Sequence, residues 1–175
     1  MKKYIVFTCS LLASVAFSQI AIGKNTTSQD AILDFGSENK GIILPIADPT
    51  NGTYANGTIL MDKNEKIIKA YQNGEWLELS DEGSFDEQLD INGDPISTAA
   101  QLNSSNEVGN GVIIGEDNSG VEGVLVLNDS SKALVLPKVN RPHENIKSPV
   151  AGTICYDTDS DSLAVFDGKV WSYWK

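Results

Sequence analysis

The stretch GTICYDTDSDSLAVFDGKVWSYW, residues 152–174, has an earlier echo in GTILMDKNEKIIKAYQNGEWLEL, residues 57–79. Each copy opens with Gly-Thr, reaches an Asp, and turns. An apolar-alternating segment follows, then Asn-Gly or Asp-Gly, then Trp. Both residues of Asn73-Gly74 tolerate positive φ, so the pair marks a type I′ hairpin. Each copy therefore reads as a three-strand β-meander.

Working outward, the segments before the two meanders also correspond. Val112-Ile113-Ile114-Gly115 answers Ile20-Ala21-Ile22-Gly23, and residues 124–127 answer 32–35. KALVLP at 132–137 answers KGIILP at 40–45, with a constant spacing of 92. The meanders themselves are 95 apart, Trp76 matching Trp171. Landmarks recurring in one order indicate internal duplication. Pro45 should end its strand or sit at an edge, because it has no N–H for a ladder. Residues 47–56 read as an irregular connection.

Between the copies, residues 81–110 are acidic, rich in Gly, Ser and Asn, and poor in large apolar side chains. They read as a loosely ordered connector, with one short helical stretch at 97–102. Residues 115–123 (GEDNSGVEG) read as a glycine-punctuated turn. The expected fold class is mostly β: two homologous small β-meander repeats, 19–80 and 111–175, joined by that connector. Sheets this small are marginal alone, so they should pack on each other or on other copies of the chain.

Residues 1–18 have the form of a secretory signal peptide. Lys2 and Lys3 precede a largely apolar run, and Ala16-Phe17-Ser18 offers a cleavage site. The run falls short of the roughly 20 residues that span a bilayer, which favours cleavage over anchoring. No later run is long enough to enter a membrane. Export is therefore expected, to the periplasm, the cell surface or beyond. The net charge of −11 argues against binding nucleic acid or anionic lipid. Cys9 would leave with the leader, so Cys155 has no internal disulfide partner and reads as a packed core side chain.

Few residues carry a chemical signal. The single histidine, His143, lies in a proline-marked connector, and pairing it with Cys155 would rest on composition alone. Carboxylates are too abundant for any pair to stand out as catalytic. No glycine-rich loop between strand and helix offers a phosphate site. Asp157, Asp159 and Asp161 alternate on a turn and form the metal candidate, for calcium. A helix-loop-helix calcium loop would need Gly and Glu where Ser162 and Gly168 stand, so a plain hairpin turn is the simpler reading. Trp76, Trp171, Tyr173 and Trp174 form the ligand candidate, as aromatic faces that stack on sugar rings. The alternative is that Trp76 and Trp171 each anchor a meander, leaving Trp174 for a contact surface.

The run VLPKVNRPHENIKSPVAGTICYDTDSDSLAVFDGKVWSYW resembles a segment common in secreted and surface proteins of Bacteroidota. It is also similar to modules upstream of trimerisation domains in phage tail-fibre-like proteins. The opening IAIGKNTTSQDAILDFGSENKGIILP resembles the start of the same proteins. The chain departs from them at Met61, where Tyr is usual, and no downstream peptidase, chaperone or sorting domain is expected. The resemblance implies an exported, non-catalytic structural or adhesive module without cofactor, self-associating as a trimeric, fibre-like assembly, with protein or glycan partners. The alternative is a calcium-assisted carbohydrate-binding module.

Overall fold

The computed structural model describes residues 19–85, 111–115 and 123–175, and the backbone of 88–89 and 95–96. The leader and the 97–102 helical stretch lie outside the described residues. The fold is β-rich and repeat-like. Two sheets follow one plan: a short parallel strand, then an antiparallel meander. In the first, β4 (Ile46–Ala47) lies parallel to β5 (Ile59–Asp62), followed by β6 (Ile68–Gln72) and β7 (Glu75–Glu78). In the second, β13 (Lys138–Val139) lies parallel to β14 (Thr153–Asp157), followed by β15 (Ser162–Phe166) and β16 (Trp171–Trp174).

Local chemistry makes the turns. Asn73 and Gly74 have φ of 54° and 85°, as the Asn-Gly signal requires. The β5–β6 turn is closed by Asp62, whose Oδ1 accepts the Asn64 and Glu65 N–H groups. Asp157 and Asp167 close the two turns of the second meander in the same way. The short strands β4 and β13, and the turn of helix α1 (Pro142–Asn145), fall in stretches that read from sequence as irregular connections. Two residues are too few to show a period.

Five further strands are parallel and stack as solenoid-like coils. β1 (Ile20–Ile22), β2 (Ala31–Phe35) and β12 (Ala133–Val135) form one sheet in that spatial order. β10 (Val112–Gly115) and β11 (Leu125–Asn128) form another parallel pair. Asp34, buried in β2, ties the β1–β2 loop by accepting the Lys24 ammonium at 2.6 Å and both the N–H and hydroxyl of Ser28. Gly36 permits the coil to close: a Cβ there would stand 2.3 Å from the Gly23 carbonyl oxygen.

The early and late parts of the chain share strands and core. β3 (Ile42–Ile43) pairs antiparallel with β14, while β12 pairs with β2. The largest core cluster mixes Leu44, Met61, Ile68 and Leu79 with Ala151, Ile154 and Val165. Residues 81–85, expected to begin the connector, are built into this unit. Gly83 N–H donates to the Lys66 carbonyl, Ser84 N–H donates to the Asp167 carbonyl, and Phe85 packs on the core. β8 (Gln88–Leu89) and β9 (Pro95–Ile96) form an antiparallel pair within the expected connector. The turn at 116–122 lies outside the described residues.

Candidate functional site

Trp76 stands opposite Tyr71 on the β6–β7 hairpin, ring centroids 5.1 Å apart and edge-on. Tyr54 closes the cluster at 5.0 Å from Trp76, its hydroxyl donating to the Asp48 carbonyl. All three rings are half-buried. Tyr54 was not legible as a member, because it comes from the irregular 47–56 connection; a lone aromatic beside Asn and Gly is the only signal there.

Trp171 occupies the corresponding place in the second sheet. It faces Phe166 across β15–β16 with centroids 5.2 Å apart, and it packs against Val139, Cys155 and Ala164. Both tryptophans thus seat on their own sheets, with edge or tilted aromatic contacts that stabilise each hairpin.

Tyr173 and Trp174 are the last two residues of β16, their side chains on opposite faces of the strand. With Glu78, Leu79, Ser80, Asp81 and Ser172 they line a shallow, open groove of about 380 Å³. The Trp174 indole N–H donates to the Leu79 carbonyl at 2.7 Å, joining the end of the chain to the first meander. The Tyr173 hydroxyl lies 3.1 Å from His143 Nδ1 on α1. Burial and the Asp157 charge push the Tyr173 phenol above its usual range. The four predicted ligand residues therefore divide: Tyr173 and Trp174 share the groove, Trp171 packs on its sheet, and Trp76 belongs to a separate cluster.

The Asp157 carboxylate is buried and used internally. Oδ1 accepts the N–H groups of Arg141 and Asp159, both at 2.9 Å, and Oδ2 accepts the Ser160 hydroxyl at 2.7 Å. Burial pushes this acid up, but the hydrogen bonds outweigh it and hold Asp157 below the ordinary aspartate value. Asp159 extends into solvent 3.7 Å from the Arg141 guanidinium, and Asp161, with φ of 52°, lies 3.4 Å from the Tyr156 hydroxyl. Among the described residues no three His, Cys, Asp or Glu side chains are placed to hold a metal ion. The arrangement of Asp157 suits it to fasten α1 to the meander turn.

Cys155 is fully buried, and burial together with Asp157 pushes its thiol up to about 12. Such a thiol is protonated at neutral pH and a poor nucleophile. His143 is exposed on α1 and engaged with Tyr173.

A feature unread in the sequence is apolar exposure along the parallel strands. Ile20, Ile22, Val112, Ile113, Val124, Leu125 and Leu134 are each at least 39% exposed, as is Ile43 on the antiparallel β3. Continuous apolar runs without polar alternation were the available signal, but such runs do not tell whether anything covers them. Among the described residues no helix is long and apolar enough to cross a membrane. Comparison of the chain with protein-family models, curated proteins and solved structures returns no match.

Proposed function

We propose that this chain is an exported, non-catalytic structural module that works by associating with copies of itself in a surface or fibre-like assembly. The observation that carries this reading is the apolar exposure on the parallel strands. Seven of the twelve exposed large hydrophobics among the described residues lie on or beside the parallel strands β1, β10, β11 and β12, and an eighth, Ile43, lies on β3. Isolated exposed apolar residues need no explanation, whereas a concentration on one set of strands marks an interaction surface. The meander sheets, by contrast, share the largest core cluster.

The module is built from two homologous repeats. In support, Ile20 pairs with Leu33 as Val112 pairs with Leu125, and Ile22 with Phe35 as Ile114 with Leu127. Corresponding residues thus occupy the same register in both parallel pairs.

Light scattering on the exported chain, with calcium and with chelator, tests the proposal. A trimer or other defined oligomer insensitive to chelator supports it, and a monomer at all concentrations refutes it. A second reading, glycan contact by the module, is favoured by the groove that Tyr173 and Trp174 line. In this reading calcium is dispensable, because Asp157 already accepts protein donors on both oxygens. Titration calorimetry against surface glycans checks it: binding that survives chelator and is lost in Trp174→Ala supports glycan contact, and absence of binding refutes it.

A further inference from the structure

β2 has a strand on each side, β1 on one and β12 on the other. Its counterpart β11 has β10 on one side, and among the described residues no strand pairs with its other edge. The direction of the main-chain groups follows from one bond. The Val112 N–H donates to the Val124 carbonyl, so residue 124 faces β10. Successive peptide groups of a strand alternate sides. The main-chain groups of Leu125 and Leu127 therefore face the edge away from β10, and the Leu125 side chain beside it is 48% exposed.

The kind of strand that fits this edge is given by the one that fits β2. That strand is β12, from KALVLP, with Leu134 beside Leu33 and Val135 beside Asp34. The sequence equivalent of β12 is β3, from KGIILP. β3 does not lie on a coil in its own chain; it pairs with β14 by one edge. The Leu44 N–H donates to the Gly152 carbonyl, so by the same alternation the N–H and carbonyl of Ile43 face away from β14. The Ile43 side chain is 49% exposed.

We infer that the open edge of β11 receives the β3 strand of a second copy of this chain, in parallel, with Ile43 beside Val126. The Ile43 N–H then donates to the Leu125 carbonyl of the other copy, and the Leu127 N–H donates to the Ile43 carbonyl. This is strand addition at a sheet edge, in which the main chain supplies the bonds and apolar side chains supply the burial. Donor and acceptor edges are different surfaces, so the contact is head-to-tail and closes as a ring or propagates as a fibre. The inference rests on the self-association reading and names the surfaces that carry it. Because each copy has a net charge of −11, added salt strengthens the contact by screening repulsion between copies.

Full-length chains carrying Ile43→Cys are mixed with chains carrying Val126→Cys and oxidised mildly. Neighbouring strands stand about 4.8 Å apart, inside the roughly 4.4–6.8 Å Cα separation a disulfide spans. The mixture should give a disulfide-linked dimer absent from either variant alone, from wild type, and from Ile43→Cys mixed with the off-register Leu127→Cys. Ile43→Pro, which removes the outward N–H at a strand edge where proline is tolerated, should reduce the scattering mass to that of a monomer with an unchanged circular dichroism spectrum. An oligomeric wild type with no 43–126 dimer overturns the strand assignment and leaves self-association standing. A wild type that is monomeric at every concentration and salt overturns both.

Discussion

Replacing Lys69 by Met should be among the most damaging single changes outside the apolar core. The Lys69 ammonium lies 2.7 Å from Asp62 Oδ2 and 2.7 Å from Glu65 Oε2. The Lys69 and Asp62 side chains are 8% and 1% exposed, whereas Glu65 is 56% exposed. Removing one partner of a buried pair costs about 3–5 kcal/mol, because the other charge is left uncompensated. Asp62 Oδ1 would keep the Asn64 and Glu65 N–H groups, which places the expected loss near the lower end, about 3 kcal/mol. At about 2–4 °C per kcal/mol for a chain of this size, Tm should fall by roughly 6–12 °C. Glu65→Gln should cost less than about 1 kcal/mol, since its side is exposed. The double variant Asp62→Asn/Lys69→Met should recover most of the loss.

The same site carries a pH signature. Burial pushes Asp62 up, but hydrogen bonds from Lys69, Asn64 and Glu65 and the Lys69 charge hold it below 3.8. Burial pushes Lys69 down, but Asp62 and Glu65 hold it above 10.5. The pair's stabilisation is therefore whole between those two unfolded values. It fades as pH falls through the folded Asp62 value or rises through the folded Lys69 value. In Lys69→Met the orphaned Asp62 takes up a proton more readily, so the gap to wild type narrows toward acid pH. Thermal and denaturant unfolding at neutral and acid pH measure both effects. A Lys69→Met chain within about 1 kcal/mol of wild type, or a Glu65→Gln chain destabilised as much as Lys69→Met, would refute the assignment of a buried pair.

Trp174→Phe removes the N–H that reaches the Leu79 carbonyl and should cost about 1 kcal/mol in denaturant midpoint; an unchanged midpoint would show that bond idle. Because burial pushes the Cys155 thiol up to about 12, iodoacetamide in mildly alkaline native buffer should leave the Cys155 peptide unlabelled by mass spectrometry and label it once the chain is denatured. Burial pushes Asp34 up, but Lys24 and Ser28 hold it down at about 2, so its stabilisation is whole above 3.8 and is lost as pH falls through about 2. Asp34→Asn should flatten that limb of the acid-unfolding curve, and a variant as acid-sensitive as wild type would sink the assignment.

Local chemistry was legible in the sequence; long-range pairing was not. The Asn73-Gly74 turn and the Asp62 and Asp157 turns follow from residues within a few positions of each other. The recurrence of Trp76 and Trp171 was likewise enough to seat each on its own sheet. The parallel pairing of β1 and β2 is accompanied by Asp34 reaching Lys24 and Ser28 and by Gly36 approaching Gly23, neither of which periodicity reveals. The strands β3, β4 and β13 have two residues each, too short for any alternation. Trp174 stood out in the sequence as unmatched, but its partner Leu79 lies 95 residues away. The groove between them was therefore invisible until the chain was folded.

The two kinds of sheet divide the labour of the molecule. The meander sheets bury Met61, Ile68, Ile154 and Val165 in one cluster drawn from early and late chain, and their Asp-closed turns satisfy main-chain donors locally. These sheets are individually marginal, and the shared cluster makes them stable together. Among the described residues the parallel coils have a cluster of Ile32, Leu33 and Ile114, flanked by Phe35 and Leu127. Their outward isoleucines and valines are left in water, at about 25 cal/mol for each Å² of apolar surface that another surface could cover. On the proposed self-association, the same unburied area that weakens the coils in a lone chain would favour a second copy against them. Polar substitutions at Val112 or Leu125 would therefore act mainly on assembly, and substitutions at Met61 or Val165 on folding.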